Sequence, residues 1–172
     1  MSPKRIRILH VQAVDAIGGT ERTNFTLLAG MDRGRFDNEI CILGNKGPYA
    51  SAYGAAGIVA HYLRHNLAKL APLLRRGDYD LVFLYGLRAN LVGRLLAPLF
   101  SRARRIEVKH GVDAERGRLA RVLDRSTAGL IHHFVSNSRA GACVMAEREG
   151  KPPARMTVIP NGIDADAFAP AA

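Results

Sequence analysis

Short apolar runs alternate along the chain with longer stretches in which apolar residues recur at helical spacing. The runs 6–11, 39–43, 58–63, 81–85, 105–109, 131–136 and 157–160 predict strands. The stretches 20–31, 48–56, 67–76, 88–100, 115–128 and 138–149 predict helices. In 88–100, Leu91, Leu95 and Leu99 recur every four residues, the spacing expected of one buried helix face. Strands near five residues with little internal alternation predict a sheet covered on both faces. Strictly alternating β and α segments joined by short connections predict an α/β fold with a doubly wound, mostly parallel sheet. The pattern ends near Asp164, so one domain over 1–164 is expected, with 165–172 as linker or terminus.

In an open parallel sheet, ligands bind beyond the carboxyl ends of the strands. The small and polar residues of this chain gather at those ends. Gly18, Gly19, Thr20 and Glu21 follow the first strand, and Tyr85, Gly86 and Arg88 stand at and after the fourth. His110 and Gly111 follow the fifth, Asn137 the sixth, and Asn161 and Gly162 the seventh. Gly18-Gly19 before a helix allows close backbone approach to an anion, with free N–H groups and a positive dipole end beyond it. A dinucleotide fingerprint is missing: the glycines are adjacent, and the second strand ends in Leu43-Gly44 with no acid to hold a ribose.

Six histidines raise metal or acid–base chemistry. His10 lies inside a strand and reads as a packed core residue. His132 and His133 are neighbours on a strand and point to opposite faces. His61 and His65 have no companion ligands. His110 stands apart, at the ligand edge beside Gly111, where an imidazole can donate a hydrogen bond or share a proton near neutral pH. Asp78-Tyr79-Asp80 precedes the fourth strand, on the wrong edge, and Asp164-Ala165-Asp166 lies in the terminal segment. Both pairs read as turn and cap residues, so no metal is expected.

Composition narrows the classes. The chain has 172 residues, 48% of them hydrophobic, enough for one sizeable core. Two cysteines, Cys41 and Cys143, make neither a disulfide framework nor a zinc site and read as buried thiols. No run is long enough to span a bilayer, and the N-terminal apolar stretch is too polar for a signal peptide. A cytoplasmic location is expected, with the inner face of the membrane within reach. The formal charge is +10, which favours anionic partners. Residues 75–125 hold twelve Lys or Arg against six acids. That stretch reads as solvated helix faces or as a surface for anionic lipid through Arg102, Arg104 and Arg105. Nucleic acid is not expected, because Phe100 is the only aromatic between Gly86 and Ala128.

Together the motifs resemble the N-terminal domain of retaining, GT4-type glycosyltransferases of the GT-B fold. The resemblance rests on Ile8-Leu9-His10-Val11 leading to Gly18-Gly19-Thr20-Glu21-Arg22, on Asp80-Leu81-Val82, and on Arg88-Ala89-Asn90-Leu91-Val92-Gly93-Arg94. Lys109-His110-Gly111, Val135-Ser136-Asn137-Ser138 and Val158-Ile159-Pro160-Asn161-Gly162-Ile163-Asp164 continue it in the family's order. It implies a Rossmann-like acceptor-side half of a two-domain enzyme, with the donor-binding half absent from this chain and the fragment alone inactive. It implies hexosyl transfer, with retention, from a nucleotide sugar to a glycan or lipid-linked acceptor, as in polysaccharide or lipopolysaccharide biosynthesis. The nucleotide sugar is substrate, and no cofactor or metal is implied.

By the same resemblance His110 is the catalytic-site histidine, and Gly18 and Gly19 approach the donor diphosphate. Thr20, Glu21, Tyr85, Arg88 and Asn137 belong to the acceptor side, and Asn161 and Gly162 to the hinge. Many relatives carry a histidine where this chain has Tyr85, so the acceptor pocket differs there. Two other readings remain at this point. One is a non-catalytic glycan- or partner-binding module of the same fold. The other is half of a sugar-nucleotide epimerase.

Overall fold

The computed structural model describes residues 4–111 and 117–162. Seven parallel strands form one sheet: β1 (Ile6–Gln12), β2 (Phe36–Ile42), β3 (Val59–Tyr62), β4 (Leu81–Tyr85), β5 (Arg104–Lys109), β6 (His133–Ser136) and β7 (Met156–Val158). Six helices connect them: α1 (Gly19–Gly30), α2 (Ala50–Ala55), α3 (Leu70–Gly77), α4 (Leu87–Phe100), α5 (Arg118–Thr127) and α6 (Arg139–Glu147). The strand order is β3-β2-β1-β4-β5-β6-β7. The doubly wound α/β fold expected from the alternation is therefore present. The end of the expected 1–164 domain and the 165–172 tail lie outside the described residues.

The order decides which helix covers which face. Right-handed crossovers from β1 to β2 to β3 put α1 and α2 on one face. The chain then returns past β1 and steps the other way, which puts α3 to α6 on the opposite face. The two cores follow. Leu28 and Tyr53 pack on Ile40 and Ile42 under α1 and α2. Leu9, Val11, Val82, Leu84 and Phe134 pack against Leu70, Leu74, Ala89, Ala97 and Met145 under the other four helices. Each large apolar side chain among them, fully buried, is worth about 1.5–3 kcal/mol.

Helices lie on both faces of the sheet, as the apolar strands suggested, but among the described residues they are unevenly shared. Two crossovers supply helices to the α1 face, and they reach only β1, β2 and β3. Over β4, β5 and β6 that face carries no helix among the described residues. Ile8, Phe83, Ile106, Val108 and Val135 floor an open groove of about 690 Å³ there, walled by Leu27 and Met31 at α1.

One expectation fails on α4. Leu91, Leu95 and Leu99 do not form its buried face: Leu99 is 72% exposed. Ala89, Gly93 and Ala97 share the same spacing of four and face the sheet instead. The reason is close approach. A Cβ built on Gly93 would lie 2.2 Å from a methyl of Leu84, so only a small-residue stripe fits against β4. Of the two thiols, Cys41 is buried but Cys143 is exposed on α6, contrary to expectation.

Candidate functional site

The winding reverses between β1 and β4, which makes the crevice beyond their carboxyl ends the topological switch point. A cavity of about 260 Å³ opens there. Its lining comes from the end of β1 (Gln12), the first turn of α1 (Thr20, Glu21), Tyr85 and Gly86 after β4, Asn90 on α4, and Lys109 and His110 at the end of β5. The α1 and α4 N-termini carry no side-chain cap, so their first N–H groups are available to a ligand. Gly86, the α4 N-cap, has φ +81°, a conformation that favours glycine.

His110 lies between this cavity and the larger groove and lines both. Its ring stacks on Tyr85 with centroids 5.7 Å apart and planes 20° from parallel. Tyr85 stacks on His10 (5.9 Å), and His10 on Phe83 (5.2 Å), so four rings form a file across the sheet face. Burial pushes the His110 imidazole below its ordinary value, and the nearby Asn161 side chain pulls the other way. Neither His110 ring nitrogen reaches solvent. Asn137 holds the strand ends together: its side-chain N–H donates to the His110 carbonyl at 3.0 Å and its backbone N–H to that of Lys109 at 3.1 Å.

His10 is the packed core residue its place in a strand suggests. Burial holds its pKa down to about 4, with the Asn38 bond opposing. It is neutral at pH 7, and its bonds fix the tautomer. Asn38 Oδ1 can only accept, so His10 Nε2 donates to it at 3.2 Å, and His10 Nδ1 accepts the Tyr85 hydroxyl at 2.8 Å. Tyr85 therefore offers the site its ring, with its hydroxyl committed to His10.

The glycines after β1 differ from each other. Gly18 has extended backbone (φ −153°), and the Glu21 carboxylate folds back so that an added Cβ would meet its Oε2 at 2.5 Å. Gly19 has nothing within 4 Å of that position. An anion approaching the α1 N-terminus meets open space at Gly19 and a like charge at Glu21. Arg88 is not brought into the cleft. Its guanidinium turns toward His65, 3.4 Å away beyond β3. Asn161 and Gly162 line the larger groove beside His110. Ile163 and Asp164, the rest of that motif, and the Asp164-Ala165-Asp166 pair lie outside the described residues. Asp80 binds the Arg7 N–H at 2.8 Å and Asp78 ends α3 with φ +43°, so that pair works in turns at the amino edge.

The sequence reading missed three parts of the site. Asn90 is buried at the small cavity, and its Oδ1 has no hydrogen-bond partner among the described residues. Asp15 accepts from the N–H groups of Gly47 (2.9 Å) and Tyr49 (3.1 Å), which pins the β2–α2 loop beside β1. The third part is a buried ion network under β5. Arg94 pairs with Glu107 and with Asp124 (2.8 Å), Lys151 with Glu107 and Glu149 (2.7 Å), and Lys109 with Glu149. Its cations hold Glu149 below the usual carboxylate range despite burial. Four of these residues came from the basic stretch read as solvated helix faces. The signal that could have separated them is Glu107 and Lys109 two apart on a strand, hence on one face.

Comparison with known proteins agrees with this geometry. No curated protein matches the chain. Among solved structures, Anabaena Alr3699/HepE in complex with UDP superposes with TM-score 0.77 at 18% identity, covering 96% of this chain and 47% of that one. The same protein with UDP and glucose gives 0.78. A glycosyltransferase from Rickettsia africae ESF-5 gives 0.78 at 19% identity, covering 98% and 46%. The chain thus spans about half the length of these structures and has the Rossmann-like fold of one half of a GT-B architecture. The sequence profile of Glycosyltransferase Family 4 matches residues 17–167, most of the chain, and the chain belongs to that family.

Proposed function

We propose that this chain forms the acceptor-side half of a glycosyltransferase that moves a hexose, with retention, from a nucleotide sugar to a glycan or lipid-linked acceptor. The observation that carries the reading is His110. It is a shielded imidazole at the switch-point crevice, fixed by a ring on one side and by Asn137 through its backbone. A neutral histidine there can hydrogen-bond a hydroxyl of the transferred sugar close to the reacting carbon once the Asn161 segment beside it moves and uncovers a ring nitrogen. Amides at the α1 N-terminus around Gly19 then face charge developing on the leaving diphosphate. Glu21 stands where an acceptor hydroxyl or the diphosphate arrives, and orders the two. Both solved structures of HepE contain UDP, which supports a uridine nucleotide as the first donor class to try.

The test uses the polypeptide in which this half is joined to a donor-binding half. It is offered UDP-, GDP- and ADP-hexoses with glycan acceptors, and the anomeric configuration of any product is read by NMR. Transfer with retention supports the reading, and inversion overturns the retaining part. An acceptor-free change of the nucleotide sugar points to an epimerase. Residues 1–172 alone are expected to show no transfer, since one wall of the cleft leaves the reacting groups wet and unpositioned.

A further inference from the structure

Helix α5 packs with its polar side inward. It meets the body through Ala120, Asp124 and Thr127, a stripe at spacings of four and three, with Asp124 bound to Arg94 at 2.8 Å. Its apolar residues point away. Leu119 is 73% exposed, Val122 63% and Leu123 43%, at positions i, i+3 and i+4 of one stripe. Arg118, Arg121 and Arg125 are exposed beside that stripe. None of the three is in an ion pair with a described residue. The only acid on the helix, Asp124, is buried, so the outward face carries three cations and no anion.

We infer that the outward face of α5 seats on an anionic phospholipid surface. An apolar stripe flanked by arginine is the pattern of a helix lying in a bilayer interface. The charge selects the partner: three exposed guanidinium groups with no acid on the outward face of the helix suit a negatively charged headgroup layer. The groove over β4 to β6 is the wrong shape and charge for this, being concave and without Lys or Arg in its lining. The amino-edge arginines are also less suited. Arg105 is committed to the Leu130 and Ala103 carbonyls, and Arg102 and Arg104 share their cavity with Asp78 and Asp80. The lipid contact expected at Arg102, Arg104 and Arg105 thus moves to the far side of β5. There α5 begins at Arg118, close in the chain to His110.

The inference stands apart from the sugar-transfer reading, because it is measured without sugar. Residues 1–172 are mixed with vesicles of phosphatidylcholine alone and of phosphatidylcholine with phosphatidylglycerol at about 70:30, and sedimented. Binding is expected to the anionic vesicles and to weaken as salt is raised. Changing Arg118, Arg121 and Arg125 together to Gln is expected to reduce it by about fivefold per arginine removed. L119Q/V122Q/L123Q is expected to abolish it with an unchanged far-UV circular dichroism spectrum, since Gln keeps helix propensity. Arg102, Arg104 and Arg105 changed together to Gln serve as the control and are expected to bind like the parent. The chain has no tryptophan, so Leu119→Trp supplies a sole reporter whose emission should shift to the blue on anionic vesicles. Three results would each overturn the inference. They are equal binding to both vesicle types, retention in the triple Gln variant of the apolar stripe, and an unshifted indole emission from the bound Leu119→Trp protein. So would a concentration-dependent dimer, without vesicle binding, that the same substitutions dissolve.

Discussion

Tyr85 and His110 lie ring on ring, 5.7 Å apart, and the Tyr85 hydroxyl is spent on His10. The contact links the end of β4 to the end of β5 and fixes the orientation of the histidine ring. Its flat side is covered, its ring nitrogens are shielded, and burial keeps it neutral.

His110 should set an acid limb in activity. Its pKa is below the ordinary 6.5, so the neutral ring persists through pH 6.5 and is lost only at lower pH. In the two-domain polypeptide, kcat/KM is expected to stay level from about pH 8 to about 6.5 and fall below that. His110→Ala should lower turnover by at least about 100-fold with the fold intact. A pH–rate profile for parent and variant, with circular dichroism on both, checks this.

His10 should give the chain a pH-dependent stability. Its pKa falls from 6.5 in the unfolded chain to about 4 when folded, so the unfolded state binds the extra proton between those values. Stability is therefore full above about pH 6.5 and declines on acidification to about pH 4, by about 3 kcal/mol in all. His10→Phe keeps the ring stack but removes the titration. Urea midpoints from about pH 7 to 4 should slope less steeply in the variant, even though it starts less stable at neutral pH.

Asn90 should matter to binding and hardly to folding. Its Oδ1 has no partner among the described residues, so Asn90→Ala removes little and is expected to shift stability by less than about 1 kcal/mol. If the amide serves a ligand in the switch-point cavity, the same change raises KM for the acceptor about tenfold in the two-domain polypeptide. Thermal unfolding and steady-state kinetics on one preparation separate the two effects.

Arg94 should be among the most sensitive positions. It is buried among Glu107, Asp124 and Thr127, and Arg94→Leu leaves carboxylates short of a cation. Such a break costs about 3–5 kcal/mol. Arg94→Lys should recover part of it, because one ammonium cannot serve both branches. Urea unfolding at neutral pH measures both.

Gly93 should not tolerate a methyl group. Its Cβ would press on Leu84 in the α4–β4 contact, and Gly93→Ala is expected to cost about 1–3 kcal/mol despite alanine's better helix propensity. A drop in Tm would bear this out, and a rise would show that α4 can lift from the sheet.

Most of the fold is legible because its signals are local. The fourth strand, Leu81–Tyr85, matches its apolar run at both ends, and α4 starts one residue before its predicted stretch. What local pattern does not carry is direction. Leu91, Leu95 and Leu99 have the spacing of a core stripe, and so do Ala89, Gly93 and Ala97; only the approach of Leu84 decides between them. For the same reason the groove over β4, β5 and β6 is hidden, since it follows from strand order. The site is legible where a residue type is bound to a strand end, as with His110 and Asn137. It is not legible where long side chains choose their partners, as with Arg88, which reaches His65, and with Lys109 and Lys151.

The groove over β4, β5 and β6 also bears on the heat of unfolding. Globular chains gain about 12–15 cal/mol/K per residue in heat capacity on unfolding, because buried apolar surface becomes hydrated. Phe83, Ile106, Val108 and Val135 are only partly buried in this chain, so each gains less newly hydrated surface on unfolding than a fully buried side chain. Residues 1–172 should therefore show a smaller heat-capacity increment, and a shallower urea dependence, than their length implies. Both should rise when any polypeptide segment comes to lie in the groove.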